Sequence, residues 1–342
     1  MRWSFDIWSW IPVSLLKTSG LILTTDYMNA DRKNEPVPEY APQGYDGAAF
    51  VGALGYLSYL KSLESLVLNL RQHDGPFTGT DRDIIGGMMI GPELQLQFVI
   101  FKALSETPTD FIRPLKSLTV NKLLAAPNSA IATPTVIALL RKLNHLSITT
   151  TTPFAAIPIS DPLHGASFPG SIFERGVLPA SLVSLELHHI NIRSADILIP
   201  VARLHLPRLE RLSLQRTYFS EKGALENFIV RHGATLVELK MFLCPMALST
   251  SSGDTVVRPQ RFRRWSQVWE RFDRELKVLR NLVVSERLDS KGVEDASYSR
   301  YLENCYEPEA AALAEAEIVE DDGALKKFEK TVESRLRPVN VH

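Results

Sequence analysis

The chain has 342 residues, with 39 acidic against 38 basic side chains and a net charge of −1, so no overall field draws it to nucleic acid or to an acidic lipid surface. Hydrophobic residues make up 45%, ample for a buried core, yet no apolar run approaches the ~18 residues needed to span a bilayer. Only two cysteines are present, Cys244 and Cys305, which argues against a disulfide framework and for a reducing compartment, cytoplasm or nucleus.

The opening MRWSFDIWSWIPVSLLKTSG has an early Arg and an apolar stretch, but Asp6 and Pro12 interrupt it and no clear small-residue cleavage site follows. A secretory signal is therefore not expected. Trp3, Phe5 and Ile7 alternate, and LILTT follows from Leu21, which predicts an edge strand or a degenerate first repeat. Residues 29–47 are polar and rich in Pro and Gly and read as an exposed loop.

Next comes LESLVL from Leu63, then a Gly-rich insertion, RQHDGPFTGTDRDIIGGMMIGPE, that lacks the Gly-Lys-Ser/Thr of a phosphate loop. Residues 94–104, LQLQFVIFKAL, form a crossover helix or buried segment. LKSLTV begins at Leu115, and Thr133 with Pro134 marks a helix start that VIALLRKL continues. LNHLSI follows at Leu143.

Three later segments share one template: LVSLELHHINI from Leu182, LERLSLQRTYF from Leu209 and LVELKMFLCPM from Leu236. Position 1 is Leu182, Leu209 and Leu236; position 4 is Leu185, Leu212 and Leu239; position 6 is Leu187, Leu214 and Met241; position 11 is Ile192, Phe219 and Met246. The spacing is 27 residues twice (209 − 182, 236 − 209), within the range of leucine-rich repeats, and Cys244 fills a position 9 reserved there for Asn or Cys. The weaker copies at Leu63, Leu115, Leu143 and Leu279 give intervals of 52, 28, 39 and 43 on either side (115 − 63, 143 − 115, 182 − 143, 279 − 236).

A strand of period 2 turns positions 4 and 6 inward, and one such unit must stack on its neighbours to bury that face. The predicted fold is thus α/β: a leucine-rich-repeat solenoid of seven or more irregular repeats, with a curved parallel sheet on the concave side and helices on the convex side. The expected divisions are an N-terminal cap or degenerate repeat with its loop over 1–48, the solenoid over 49–306, and an acidic segment with a capping helix over 307–342.

Between the strands, Ser220 is the expected N-cap of EKGALENFIVRH, with Leu225, Phe228 and Ile229 on one face and Gly233 as the stop. Pro200 makes the ADILIPVARL crossover short or kinked. RFRRWSQVWERFDRELKVL aligns Phe262, Trp265, Trp269, Phe272, Leu276 and Leu279 in one apolar stripe. Its Arg258, Arg261, Arg263 and Arg264 suit a nucleic-acid patch less well than packing, since Glu270, Asp273 and Glu275 dilute them. After the acidic run EPEAAALAEAEIVEDD, Asp321 or Asp322 is expected to cap a last helix carrying Leu325, Phe328 and Val332.

The irregular repeats, the phrase FIVRHGATLVELKMFLCP, the RRWSQVWERF helix and the closing DDGALKKFEKTVESR helix together resemble the leucine-rich-repeat region of fungal F-box-type proteins. The resemblance covers roughly residues 50–336, and no F-box-like helix pattern precedes Leu63. It implies a substrate-recognition subunit of an SCF-type ubiquitin ligase, which would meet a Skp-type adaptor and a cullin.

Chemistry leaves no trace in the motifs. Gly-x-Ser-x-Gly, His-Glu-x-x-His and CxxC patterns are absent. His188 and His189 are adjacent, so a strand sends them to opposite faces. No catalytic residue, metal or cofactor is expected, and an enzyme with a site on a rim loop ranks third.

What remains is a surface: positions 3, 5 and 7 of each strand, whose charged middle holds Glu186, His188, Arg211, Gln215, Glu238, Lys240 and Phe242. Such residues suit a protein partner, with Phe242 as apolar anchor. Long insertions at 150–181 and 247–262 follow strands and read as rim loops. The expectation is a non-catalytic module that binds a protein, with neither nucleic acid nor membrane as partner.

Overall fold

The structure, a computed structural model, describes residues 20–24, 63–70, 84–85, 88–89, 97, 100–105, 115–124, 133–151, 178–189, 201, 204–220, 223–248, 263–285, 301–303 and 315–336. The protein is α/β and packs as two compact units, Met1–Val120 with Ser129–Leu143, and Asn121–Asn128 with Asn144–His342.

In the first unit β1 (Gly20–Thr24) runs parallel to β2 (Ser65–Asn69), with Leu21 beside Leu66 and Leu23 beside Leu68. The LILTT segment is therefore a strand in register with the repeats. β3 (Ile84–Ile85) and β4 (Met88–Met89) form a short antiparallel ladder within the Gly-rich insertion. Residues 100–105 are helical and bury Ile100, Phe101, Ala103 and Leu104. β5 (Ser117–Leu124) lies next to β2, and its first half belongs to this unit. Helix α1 (Pro134–Leu140) starts at the proline as expected, but Thr133 holds the N-cap position without a side-chain capping bond.

The second unit contains β6 (His145–Thr151), β7 (Ser184–His189), β8 (Arg211–Gln215), β9 (Phe219–Ser220), β10 (Glu238–Phe242), β11 (Met246–Leu248), β12 (Asn281–Ser285) and β13 (Tyr301–Glu303). Strands β6, β7, β8, β10 and β12 are neighbours in that order, all parallel and with no slip between equivalent positions. A second, smaller parallel ladder joins β9, β11 and β13, with Phe219 beside Met246 and Met246 beside Tyr301. Position 11 of the template thus starts a second sheet, which is why it is apolar.

The leucine columns explain the register. All seven position-1 leucines are at most 1% exposed, and positions 4 and 6 are at most 3% exposed from Leu66 through Met241. Each such side chain removed from water contributes about 1.5–3 kcal/mol, and a one-residue slip would turn the whole column outward. β12 is the exception, with Leu282 and Val284 only half-buried.

A backbone device sets the start of each strand. The position-2 carbonyls of Glu64, Asn144, Val183, Glu210 and Val237 each accept two N–H groups, from positions 2 and 3 of the next repeat, at 2.8–3.0 Å. Position 8 takes one of two backbone forms. Lys122, Arg216 and Leu243 take left-handed φ values of 59°, 51° and 48°, a conformation costing a non-glycine residue about 1–2 kcal/mol. For two of them the backbone offsets that cost: the N–H of Arg216 donates to the Phe242 carbonyl and that of Leu243 to the Ser285 carbonyl, both at 2.8 Å. Thr150 and His189 at the same position instead stay in the strand, paired with each other and buried.

Position 9 has its own reason. The Cys244 thiol donates to the Leu214 and Phe242 carbonyls at 3.6 and 3.4 Å, and the Thr217 hydroxyl to the Leu187 and Gln215 carbonyls at 3.5 and 3.3 Å. Both therefore link position 6 of the preceding repeat to position 7 of their own, using a short side chain with a donor in a site only 2–6% exposed.

Three helices cover the inner face of this unit's later strands. α2 (Ala224–Arg231) buries Leu225, Phe228 and Ile229 as the spacing predicts. Its start corrects the sequence expectation: Ser220 is spent in strand β9, and the N-cap is Gly223 at φ 63°. Gly233 is required for closeness, since a Cβ there would sit 2.6 Å from the Glu275 carbonyl oxygen. α3 (Trp265–Glu275) buries Trp265, Val268, Trp269 and Phe272, with the two indoles stacked at 4.8 Å between centroids.

Glu226, 1% exposed, joins α2 to the next repeat by accepting from Arg263 and, at 2.7 Å, from Arg271. Arg264 pairs with Glu320 at 2.9 Å. Arg258 and Arg261 lie outside the described residues.

α4 (Glu315–Leu336) brings the second correction. It begins before Asp321 and Asp322, so neither caps it. Asp321 is 1% exposed, and its Oδ1 accepts the Ser266 N–H at 2.7 Å, capping α3. Phe328 and Val332 are buried against α3, Leu325 only half so, and Arg335 donates to the Leu276 carbonyl at 2.6 Å.

Candidate functional site

On the five in-register strands of the second unit, positions 3, 5 and 7 face away from the leucine columns, and every one of these side chains is half-buried or exposed. The ladders place them in rows. The first runs His145, Ser184, Arg211, Glu238, Asn281; the second Ser147, Glu186, Ser213, Lys240, Val283; the third Thr149, His188, Gln215, Phe242, Ser285. Neighbours within a row are ~5 Å apart and neighbours along a strand ~7 Å apart. All seven predicted residues, Glu186, His188, Arg211, Gln215, Glu238, Lys240 and Phe242, lie on this one face. His188 looks outward and His189 inward, as the alternation requires.

The charges on the face are not equivalent. Lys240 meets Glu238 of its own strand at 2.5 Å. That hydrogen bond holds the Glu238 carboxyl below the usual carboxylate range, helped by a bond from Asn281 and the field of Arg211, against the opposing effect of burial. Arg211 reaches over Ser184 to His145, its Nη2 3.4 Å from Nδ1. A guanidinium only donates, so Nδ1 of His145 accepts and the ring is neutral. Burial and then the Arg211 charge lower the His145 pKa, with Glu186 pulling the other way. His188 approaches Ser213 Oγ at 3.2 Å, and its pKa is lowered by burial against the raising effect of Glu186. Among the described residues, Glu186 and Arg211 have no ion-pair partner.

His145 and Ser213, outward-facing by the same alternation but not among the seven predicted partner-binding residues, complete the constellation. His145 is 66 residues from the guanidinium it meets, and only the column alignment could have paired them. The insertions at 150–181 and 247–262 lie outside the described residues except at their ends. Among the described residues no group of three or more His, Cys, Asp or Glu is placed to hold a metal ion, and no helix is long and apolar enough to cross a membrane. No protein-family model matches the chain, and no curated protein matches it.

Proposed function

We propose that this protein is a leucine-rich-repeat solenoid that binds a protein partner through the outward face of its parallel sheet, without catalysis. The observation that carries the reading is the three rows of mostly polar, half-buried or exposed side chains, held at strand spacing by leucine columns buried beneath every strand but β12. A rigid polar field with one aromatic, Phe242, and paired and unpaired charges side by side is suited to recognising another protein surface. The buried Cys244 thiol is pushed up to about 12 by burial, which makes it a poor nucleophile.

The test is affinity purification of the full chain beside an Arg211→Glu/Lys240→Glu double variant, with mass spectrometry of both. A protein recovered by the first and lost by the second, with a thermal melt shifted by only a few degrees, supports the reading. Equal recovery by both sinks it. A Skp-type adaptor and a cullin among the proteins recovered would mark the substrate-recognition subunit of a ubiquitin ligase, the role implied by the resemblance to fungal F-box-type proteins.

A further inference from the structure

The face described above carries two cations and two carboxylates in its centre, and internal pairing consumes only half of them. Lys240 and Glu238 neutralise one another at 2.5 Å. Arg211 is exposed; it reaches a neutral imidazole at 3.4 Å and its field acts on Glu238, its neighbour in the row, but among the described residues it makes no ion pair. Glu186 raises the pKa of His145 and of His188 from a distance and, among the described residues, makes no ion pair.

The ladder explains why these two opposite charges do not meet. Arg211 stands opposite Ser184, and Glu186 opposite Ser213, so they occupy a diagonal ~7–8 Å long. The two serines on the other diagonal are short, and the Arg211 side chain passes over Ser184 on its way to His145. The arrangement is a fixed positive and a fixed negative end separated by a shallow polar gap. Its complement carries the same two signs in the opposite order.

Resting on the reading of this face as a protein-binding surface, we infer that it takes an extended segment of a partner protein bearing one acidic and one basic side chain two residues apart, the acid on Arg211 and the base on Glu186. Side chains two apart in an extended chain lie on the same face ~6.8 Å from each other, which matches the diagonal. The Lys240–Glu238 pair, already neutral, contributes steric shape and not charge selection. Phe242, one row and two strands from Glu186, offers an apolar contact off this diagonal.

The experiment uses the full chain and a displayed library of random peptides as the probe. Sequences enriched on the protein are read for charge pattern, then the selection is repeated on Arg211→Gln and on Glu186→Gln. The expected outcome is enrichment of acid-x-base peptides, loss of the acidic preference on Arg211→Gln, and loss of the basic preference on Glu186→Gln. Synthetic winners should bind each variant about tenfold more weakly than the parent chain. Failure to enrich any charge pattern, or a pattern unchanged by both substitutions, overturns the inference. If the Arg211→Glu/Lys240→Glu chain loses its purified partner while Arg211→Gln and Glu186→Gln keep it, the face still binds a protein and only this charge assignment falls. If all of them keep it, both readings fall.

Discussion

The carboxylate of Asp321 accepts the backbone N–H of Ser266 at 2.7 Å, across 55 residues of sequence. Ser266 is in the first turn of α3, where the N–H groups have no intrahelical acceptor, and it is 3% exposed, so water does not serve it. A residue of the last helix therefore completes the helix before it. Replacing Asp321 with Ala should cost about 1–3 kcal/mol, through the lost cap and the buried donor left behind. Asp321→Asn keeps an acceptor and should cost less. Urea unfolding of the two variants checks this, and equal losses would show that the hydrogen bond is unimportant.

The leucine columns predict a gradient. Leu212→Ala, at 1% exposure, should destabilise by about 2–5 kcal/mol. Leu282, the equivalent residue of β12, is only half-buried, and its change to Ala should cost clearly less. Chemical denaturation of both separates a continuous interior from its last layer. A larger loss at Leu282 would mean that the burial pattern of β12 is misassigned.

Cys244 should be chemically silent in the native state. Its thiol is 6% exposed and is held protonated by burial, which outweighs the backbone groups of Thr217, Phe242 and Arg216 around it. A thiol reagent at neutral pH should modify it only as fast as the protein opens. Rapid native labelling mapped by peptide mass would contradict the position-9 assignment.

Acid should unfold the protein partly through its histidines. His189 is 5% exposed and hydrogen-bonded to Thr150, and burial, with His188 adding to it, lowers its pKa from 6.5 to about 4. The unfolded chain therefore binds a proton below pH 6.5 that the native chain refuses. The stability this group contributes is complete above that pH and is lost as pH falls toward the folded value. His232 adds in the same direction: its Nε2 accepts the Leu206 N–H at 2.9 Å, a bond that protonation abolishes, and its pKa is lowered chiefly by burial. Between about pH 7 and pH 5, His189 alone should account for about 2 kcal/mol. Unfolding free energies of the parent chain and His189→Leu at both pH values give the difference, and parallel losses in the two proteins would refute it.

Local patterns were legible in the sequence because they are the local consequence of a period of 2. Leu185, Leu212 and Leu239 could be aligned by eye, and Cys244 could be placed at position 9. Thr217 holds the same position and makes the same pair of contacts, but a hydroxyl does not stand out in a search for Asn or Cys. Ser220 misled because a capping residue and a strand residue look alike until the second ladder, Phe219 beside Met246, is known. Asp321 misleads for another reason: it lies inside the helix it is expected to cap, and the helix it does cap is a neighbour only in three dimensions. On the outward face, the signs of Arg211, Lys240, Glu186 and Glu238 are plain in the sequence, and neighbours on adjacent strands are the obvious pairs. The short contact instead runs along one strand, from Glu238 to Lys240, because side chains two apart on a strand share a face.

The position-2 carbonyls of Glu64, Asn144, Val183, Glu210 and Val237 fix where the next strand begins, whatever number of residues lies between. Glu64 engages Lys116 and Ser117 across a 52-residue interval, and Val183 engages Glu210 and Arg211 across 27, with the same two bonds. The chain between two such anchors varies in length while the two bonds do not. Lengthening or exchanging it is absorbed between strands, so a lineage can redecorate the surroundings of the polar rows without disturbing their spacing, and a guest sequence spliced between two strands should leave the grid of side chains where it stands.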